Sequence, residues 1–537
     1  MIKKFYFLLL SLPLTAIAQN TVPIVTINNV SVDTASKTIN INYNVIDANN
    51  DLLEVKVMLS ADSGISYVAP IQMATGALGF PVTPGNNKTI VINYHPDSLH
   101  YAANGNINAW FMVKIVATDR KPISIQNMLP TIDSALVYDY MHYIAQPRHH
   151  TAAPQGLEMI KDSIESNFVR NQLQTQRSAF NFGAVASENI LGRKPGLWQE
   201  KNTIIVDAHF DAVANSPGAD DNGSSLAAVL IASKILSDYN FEKTIQFIGF
   251  DKEENGLIGS LYYVNNSIPT YQQTEAVLNM EMIGYYSEVP NSQLIPNGFS
   301  QLFPAAVDSI TSGGNQGVWL FTVGNANSAS LSLAFDTLAR NYVANVKSLV
   351  LNVPGNGQLA QDLRRSDHAP FWDAGYKALM LTDGADFRNQ NYHTSGDSLG
   401  TLNFPFMVRN IQAVTAVAAS LALPISAGQD SQGAWQLIKD IPFSLAKKQE
   451  SVLVEIYPNP TSKDLYLKFD KDLNDAHFKI NDATGKLILI QNTLQINKGN
   501  VIKIPISSLS AGVYFLSCEA KNFSFNKKIV ITDGHND

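Results

Sequence analysis

Residues 202–211, Asn202-Thr203-Ile204-Ile205-Val206-Asp207-Ala208-His209-Phe210-Asp211, pass from an apolar run directly into polar groups. Short apolar runs of this kind read as strands, and the elements between successive strands set the fold class. Ser224 to Leu236 reads as a helix, and Thr244 to Phe250, Ala276 to Ile283 and Ala378 to Leu381 as three more apolar strands. Gly156 to Phe168 is helical, with Leu157, Ile160 and Ile164 on one face, and longer helices span Leu331 to Val346 and Met407 to Leu421. Strands alternating with helices predict an α/β domain over residues 140–425, a mostly parallel sheet covered by helices on both faces. Ligands of such sheets collect at the carboxyl ends of the strands.

Polar clusters stand where that rule would put them. Asp207-Ala208-His209-Phe210-Asp211 ends the first strand, and an aspartate two residues after a histidine can fix the imidazole tautomer. Pro217-Gly218-Ala219-Asp220-Asp221-Asn222-Gly223-Ser224 precedes a helix and holds more acid than a cap needs. Asp251-Lys252-Glu253-Glu254-Asn255-Gly256 comes after the second strand, and its paired carboxylates repel unless a cation or proton lies between them. One such carboxylate can bind a metal while the other takes a proton from water. Asn279-Met280-Glu281-Met282-Ile283 sets a carboxylate among apolar neighbours, where burial without a partner is costly. Tyr392-His393-Thr394-Ser395-Gly396-Asp397 comes after the fourth strand. Taken singly, the His209, Asp220-Asp221 and Glu253-Glu254 strings fit a solvated turn or a helix cap, whereas for Glu281 the functional reading leads. As a series they offer mixed nitrogen and oxygen ligands of the kind that suit zinc.

In order and content these motifs, with Arg365-Ser366-Asp367-His368-Ala369-Pro370-Phe371-Trp372, resemble the M28 metallopeptidase family, which includes zinc aminopeptidases. The resemblance covers about residues 140–425, half of the chain. It implies a zinc exopeptidase-like fold and two zinc ions. His209 and Glu281 would bind one, Glu254 and His393 the other, and Asp221 would bridge them through a residue whose bond to Asn222 is often cis in the family. It further implies that Asp211 orients His209, that Glu253 is the general base, that Tyr392 bonds the oxyanion, and that Arg365 helps to position substrate. Glu281 departs from the aspartate of many relatives but remains an oxygen ligand. A glutaminyl cyclase of the same fold typically has tryptophan before the late histidine, so Tyr392 favours the peptidase. A carboxypeptidase or dipeptidase would share the metal ligands. An inactive surface adhesin would lack ligands, and none is missing. Residues 285–330 and 350–366 are the expected pocket walls, with Trp319, Leu320 and Phe321 favouring an apolar first side chain.

The flanks have a different texture. Lys3 and Lys4, the apolar run Phe5 to Leu12 and Ala16-Ile17-Ala18 read as a signal peptide over residues 1–18. Residues 19–130 alternate as in an immunoglobulin- or fibronectin-like β-sandwich. Within them, Asp47-Ala48-Asn49-Asn50-Asp51 carries oxygen ligands suited to calcium, although a polar turn explains the string more simply. Residues 426–448 read as a linker and 449–537 as a small β domain. The latter's Glu455-Ile456-Tyr457-Pro458-Asn459-Pro460, Asp482-Ala483-Thr484-Gly485 and Leu509-Ser510-Ala511-Gly512 resemble the sorting domain of type IX secretion substrates. That resemblance implies engagement with the type IX machinery and passage through the periplasm to the bacterial surface or beyond.

The chain has 537 residues, 45% hydrophobic and 16% charged, with a net charge of −8. This composition suits several folded domains, and its charge gives no reason to expect nucleic acid. No apolar run reaches the length of a spanning helix. Cys518 is the only cysteine, which leaves no internal disulfide, and it sits in a strand-like run.

Overall fold

The structure, a computed structural model, describes residues 20–33, 35–36, 38–60, 67, 73–93, 110–183, 185–436, 454–469, 472–482, 487–507, 509–520 and 523–532. The expected signal peptide, residues 437–448 of the expected linker, and His95, His100 and His535 lie outside the described residues. The chain divides into two compact units, residues 1–437 and 438–537.

The first unit begins with strands β1 (Ile24–Asp33), β2 (Thr38–Ile46), β3 (Leu53–Ser60), β4 (Met73–Gly76), β5 (Gly79–Val82), β6 (Gly85–Asn93) and β7 (Trp110–Pro122). Their alternation is direct: Ile39, Ile41, Tyr43 and Val45 of β2 are buried, and the intervening asparagines are half-exposed. One antiparallel sheet runs β1-β2-β6-β4.

Next come helices α1 (Ser134–Ile144) and α2 (Pro154–Arg170), strands β8 (Gln174–Phe182), β9 (Val185–Lys194) and β10 (Gln199–His209), and helix α3 (Ser225–Ser237). Strands β11 (Asn240–Phe241), β12 (Lys243–Phe250), β13 (Gln273–Glu281) and β14 (Leu320–Gly324) are next in the chain, then helix α4 (Ala329–Tyr342). Strands β15 (Ser348–Asn352) and β16 (Ala378–Thr382), helix α5 (Phe404–Ala422) and strand β17 (Pro424–Gln436) complete the unit. Eight of these strands form one sheet in the order β15-β14-β16-β13-β10-β12-β9-β8. The middle four, β16, β13, β10 and β12, are parallel. They are the four strands that the apolar runs predict. The sheet's edges are antiparallel: the β8–β9 hairpin against β12, and β14 against β16. Those edge strands carry more polar residues or are very short, so no long apolar run marks them.

Within β10, Ile204, Val206 and Ala208 face one core, and Ile205 faces the other. Helices α1 to α5 all contribute to the first core. The second is closed by shorter pieces carrying Phe303, Ile310, Phe371 and Trp372. Helix starts reflect local chemistry: Asp133 accepts from the Leu136 amide at 2.8 Å, and Asn403 from the Phe406 amide at 2.9 Å.

One boundary needs correction. Residues 424–436 do not start a linker. They form β17, which pairs antiparallel with β7 in a second sandwich sheet, β11-β17-β7-β3-β5. The run Gly428-Gln429-Asp430-Ser431-Gln432 is polar because the strand is held by ladder hydrogen bonds rather than by apolar side chains. The sandwich is therefore completed by chain that leaves α5.

The second unit has sheets β18 (Val454–Tyr457), β19 (Asp464–Phe469) and β22 (Val501–Pro505), and β21 (Leu487–Ile496), β20 (Leu473–Asp482), β23 (Gly512–Ala520) and β24 (Phe523–Ile531). Leu465 and Leu467 share a core with Phe478, Ile480, Leu516 and Cys518. The cysteine is fully buried there. Among the described residues, no helix is long and apolar enough to cross a membrane.

A side chain at Gly428 would put its Cβ 1.7 Å from the Pro23 carbonyl oxygen. Gly428→Ala should therefore lower stability by about 1–3 kcal/mol, read as a shift of the urea midpoint.

Candidate metal centre

The carboxyl ends of the four parallel strands bring the polar clusters together. β10 delivers His209, β13 delivers Glu281, the loop after β12 delivers Glu253 and Glu254, and the loop after β16 delivers Tyr392 and His393. Asp221 lies in the turn before α3. Two donor sets result, His209 with Asp221 and Glu281, and Asp221 with Glu254 and His393. In each, one ligand atom per residue lies within 4.8 Å of the others.

Asp221 belongs to both sets. Its Oδ1 is 3.5 Å from His209 Nε2, and its Oδ2 is 3.1 Å from His393 Nε2. Glu281 Oε2 stands 3.4 Å from His209 Nε2, and Glu254 Oε2 stands 3.2 Å from His393 Nε2. Glu253 Oε2 is 3.8 Å from His209 Nε2. His209 Nε2, Asp221 Oδ2 and Glu254 Oε1 are buried and make no hydrogen bond. Orphaned donor atoms converging from both sides, all nitrogen or carboxylate oxygen, fit zinc.

Surrounding groups hold these side chains in place. Asp211 lies beside His209, whose Nδ1 is 3.1 Å from the Asp211 carbonyl oxygen. Its carboxylate also accepts the amides of Glu253 at 3.1 Å and Glu254 at 3.3 Å, which ties two clusters together. Asp397 accepts the amides of Asp220 at 2.8 Å and Asp221 at 3.0 Å. Asn222 donates to the Met280 carbonyl and accepts the Met282 amide, stitching the turn to the end of β13. The Asp221–Asn222 bond is cis. Ser366 Oγ donates to Glu281 Oε2 at 2.7 Å. Arg148, 1% exposed, donates to the carbonyls of Phe210, Pro217 and Gly218. Gly218 has φ 58°, and a Cβ there would meet the Asp221 carbonyl oxygen at 2.5 Å.

Burial among like charges shifts the protons. Glu254 rises to about 7, first from burial and then from the Asp221 carboxylate. Glu253 rises well above the usual range through burial, against the pull of His209 and with Glu281, Asp367 and Glu254 adding to the rise. Burial lowers the His393 imidazole, but the facing Asp221 and Glu254 carboxylates outweigh it and lift the group to about 10. Burial keeps Tyr392 protonated, and the Asp221 and Glu281 carboxylates reinforce this. Its ring stacks on His393, and its hydroxyl accepts from Arg365 Nη2 at 3.0 Å.

All nine expected site residues thus meet at one place. Sequence patterns did not mark Asp397, Ser366 and Arg148 as supports. The first two stand inside quoted motifs, whereas Arg148 carries no local signal. His368 is fully buried, bonds the Leu363 carbonyl at 3.0 Å and packs on Trp372. His149 and His150 belong to neither donor set.

Beside Glu281, Arg365 and Tyr392 opens an apolar pocket lined by Phe299, Phe303, Ala306, Ile310, Phe321 and Met380. Of the three expected wall residues only Phe321 lines it. Leu320 faces the opposite core, since neighbours on a strand point apart, and Trp319 packs beside the pocket's core. Residues 380–387 form a further wall, outside the segments expected from sequence.

Residues 189–418 match the family model described as peptidase family M28, and residues 455–532 that of the secretion system C-terminal sorting domain. The chain is 30% identical over 218 residues to aminopeptidase YwaD of Bacillus subtilis, covering 40% of each protein. It is 27% identical over 297 residues to leupeptin-inactivating enzyme 1 of Streptomyces exfoliatus, covering 51% of this chain and 57% of that protein. The chain thus spans about half the length of these two curated relatives. A solved structure, a zinc aminopeptidase from Bacillus subtilis, aligns over 54% of this chain and 95% of its own at 16% identity, with a TM-score of 0.42.

Removing a support should weaken metal binding while leaving the fold intact. Ser366→Ala and Asp397→Asn should each lower zinc affinity about 10–100-fold, measured by competition with a chromophoric chelator. Because the ligands must shed protons to bind, affinity should also fall as pH drops from 7 to 5.

Proposed function

We propose that this chain, which carries a peptidase family M28 domain, is an exported di-zinc aminopeptidase that removes apolar residues from the N-termini of peptides. The observation that carries this reading is the pair of donor sets sharing Asp221 beside an apolar pocket. His209 and Glu281 would hold one zinc, Glu254 and His393 the other, with Asp221 between them. Bound there, the ions would polarise the scissile carbonyl and ease deprotonation of water.

The remaining steps fall to the protein. Glu253 takes a proton from the attacking water and hands it to the departing amine, a task suited to a carboxylate whose affinity for protons is raised. Asp211 keeps His209 oriented and, by accepting the backbone amides of Glu253 and Glu254, sets the position of Glu253. Tyr392 donates its phenolic hydrogen to the oxyanion, and Arg365 keeps its hydroxyl directed.

An α-ammonium suits this site better than an α-carboxylate. Glu253, Glu281 and Asp386 supply negative charge, and the nearby cation Arg365 is already engaged with Asp386 at 3.3 Å and with Tyr392. That favours an aminopeptidase over a carboxypeptidase. The sorting domain supports delivery to the cell surface or beyond through the type IX system, with that machinery as partner.

Glu253→Gln should keep its zinc and lose kcat by about 10²–10⁴, and metal analysis beside a Leu-p-nitroanilide assay checks both. Unchanged turnover would remove Glu253 from the mechanism. On p-nitroanilides of Leu, Lys and Glu, kcat/KM should be highest for Leu. A preference for Lys or Glu would overturn the apolar-pocket assignment.

A further inference from the structure

We propose that the N-terminal sandwich holds a calcium ion at a site built by Asp47, Asp51 and Asp119, remote in sequence from the metal centre and independent of the hydrolytic function. One carboxylate oxygen from each lies within 4.8 Å of the other two. Asp47 and Asp51 come from the turn after β2, and Asp119 from β7. Asp47 is 7% exposed; its Oδ1 accepts the Asn49 amide at 2.7 Å, while its Oδ2 is buried without a hydrogen-bond partner. Asp119 is 8% exposed and accepts from the Lys121 amide, Asn20 Nδ2 and Ser426 Oγ. Asn20 Oδ1, on an amide bonded to Asp119, is a second buried oxygen with no partner.

Three carboxylates, one of them with an unpartnered buried oxygen, beside the unpartnered Asn20 Oδ1 call for a positive charge. Among the described residues, Lys121 supplies one through its bond to Asp51, but its side chain is 44% exposed. Three carboxylates against one ammonium leave two negative charges. With no nitrogen or sulfur ligand, the set suits a hard cation, and a loose group of carboxylate and amide oxygens fits calcium better than the strict octahedron of magnesium. A bound ion would clamp four segments: residue 20, the β2–β3 turn, β7 and, through Ser426, β17 as it leaves α5. The ion would act on stability, not on the reaction.

The test titrates calcium into the zinc-loaded full chain, with a magnesium series at equal ionic strength. The expected result is one calcium per chain and a thermal midpoint raised by about 3 °C or more. Asp47→Asn should lose that rise while its calcium-free midpoint stays at or above that of the unaltered chain, because one of three like charges is gone. Lys121→Met should bind calcium more tightly, since its ammonium competes for Asp51. The proposal is overturned if calcium does no more than magnesium, or if Asp47→Asn keeps the full rise. Should Asp47→Asn fail to fold, unchanged calcium affinity in Lys121→Met would overturn it equally.

Discussion

Mutual repulsion among buried carboxylates is the constraint around which the α/β domain is arranged. Asp221, Glu253, Glu254 and Glu281 crowd the carboxyl edge of four parallel strands with only two imidazoles among them. Such a group is tolerable when protons or cations lie between its members, and burial makes the alternatives costly. The proton affinities reflect this, with the carboxyls of Glu253 and Glu254 lifted and His393 strengthened as a base. A dication competes for the same electron pairs that hold those protons.

Neutral and charge-assisted hydrogen bonds keep the crowded groups from moving apart. Asp211 and Asp397 each accept two consecutive backbone amides, so two loops are fixed by carboxylates that are not themselves in the donor sets. Arg148 sets its charge near Asp397, Asp221, Asp211 and Glu254, and it gathers three carbonyls of the 210–218 loop so that the loop can turn inside the protein. Rigid supports of this kind matter because a misplacement of about one ångström at the ligands would spoil the shared geometry around Asp221.

The sandwich and the eight-stranded sheet are joined through the chain itself. β17 follows α5, the final helix of the α/β domain, and enters a sandwich sheet between β11 and β7. Its register against β7 is long and carries two irregularities, so the junction rests on backbone pairing more than on an apolar seam. That explains why a polar sequence can be an integral strand.

By itself the sequence determined the four central strands, the principal helices and the order of the polar motifs that supply the two donor sets, because buried strands need continuous apolar runs and a donor set needs particular atoms. It marked His209, Asp221, Glu254, Glu281 and His393 in separate segments. It also showed Cys518 as part of a strand, where it proves fully buried. Tertiary structure alone decided how near those segments come, since register and loop closure bring together residues as distant as His209 and His393. It alone turned Leu320 away from the pocket and Phe321 into it, converted residues 424–436 from connector to strand, and placed Asp119 beside Asp47. These outcomes depend on pairing between chain segments far apart in sequence, and no local pattern of residue types records which partner a polar strand or a lone carboxylate will meet.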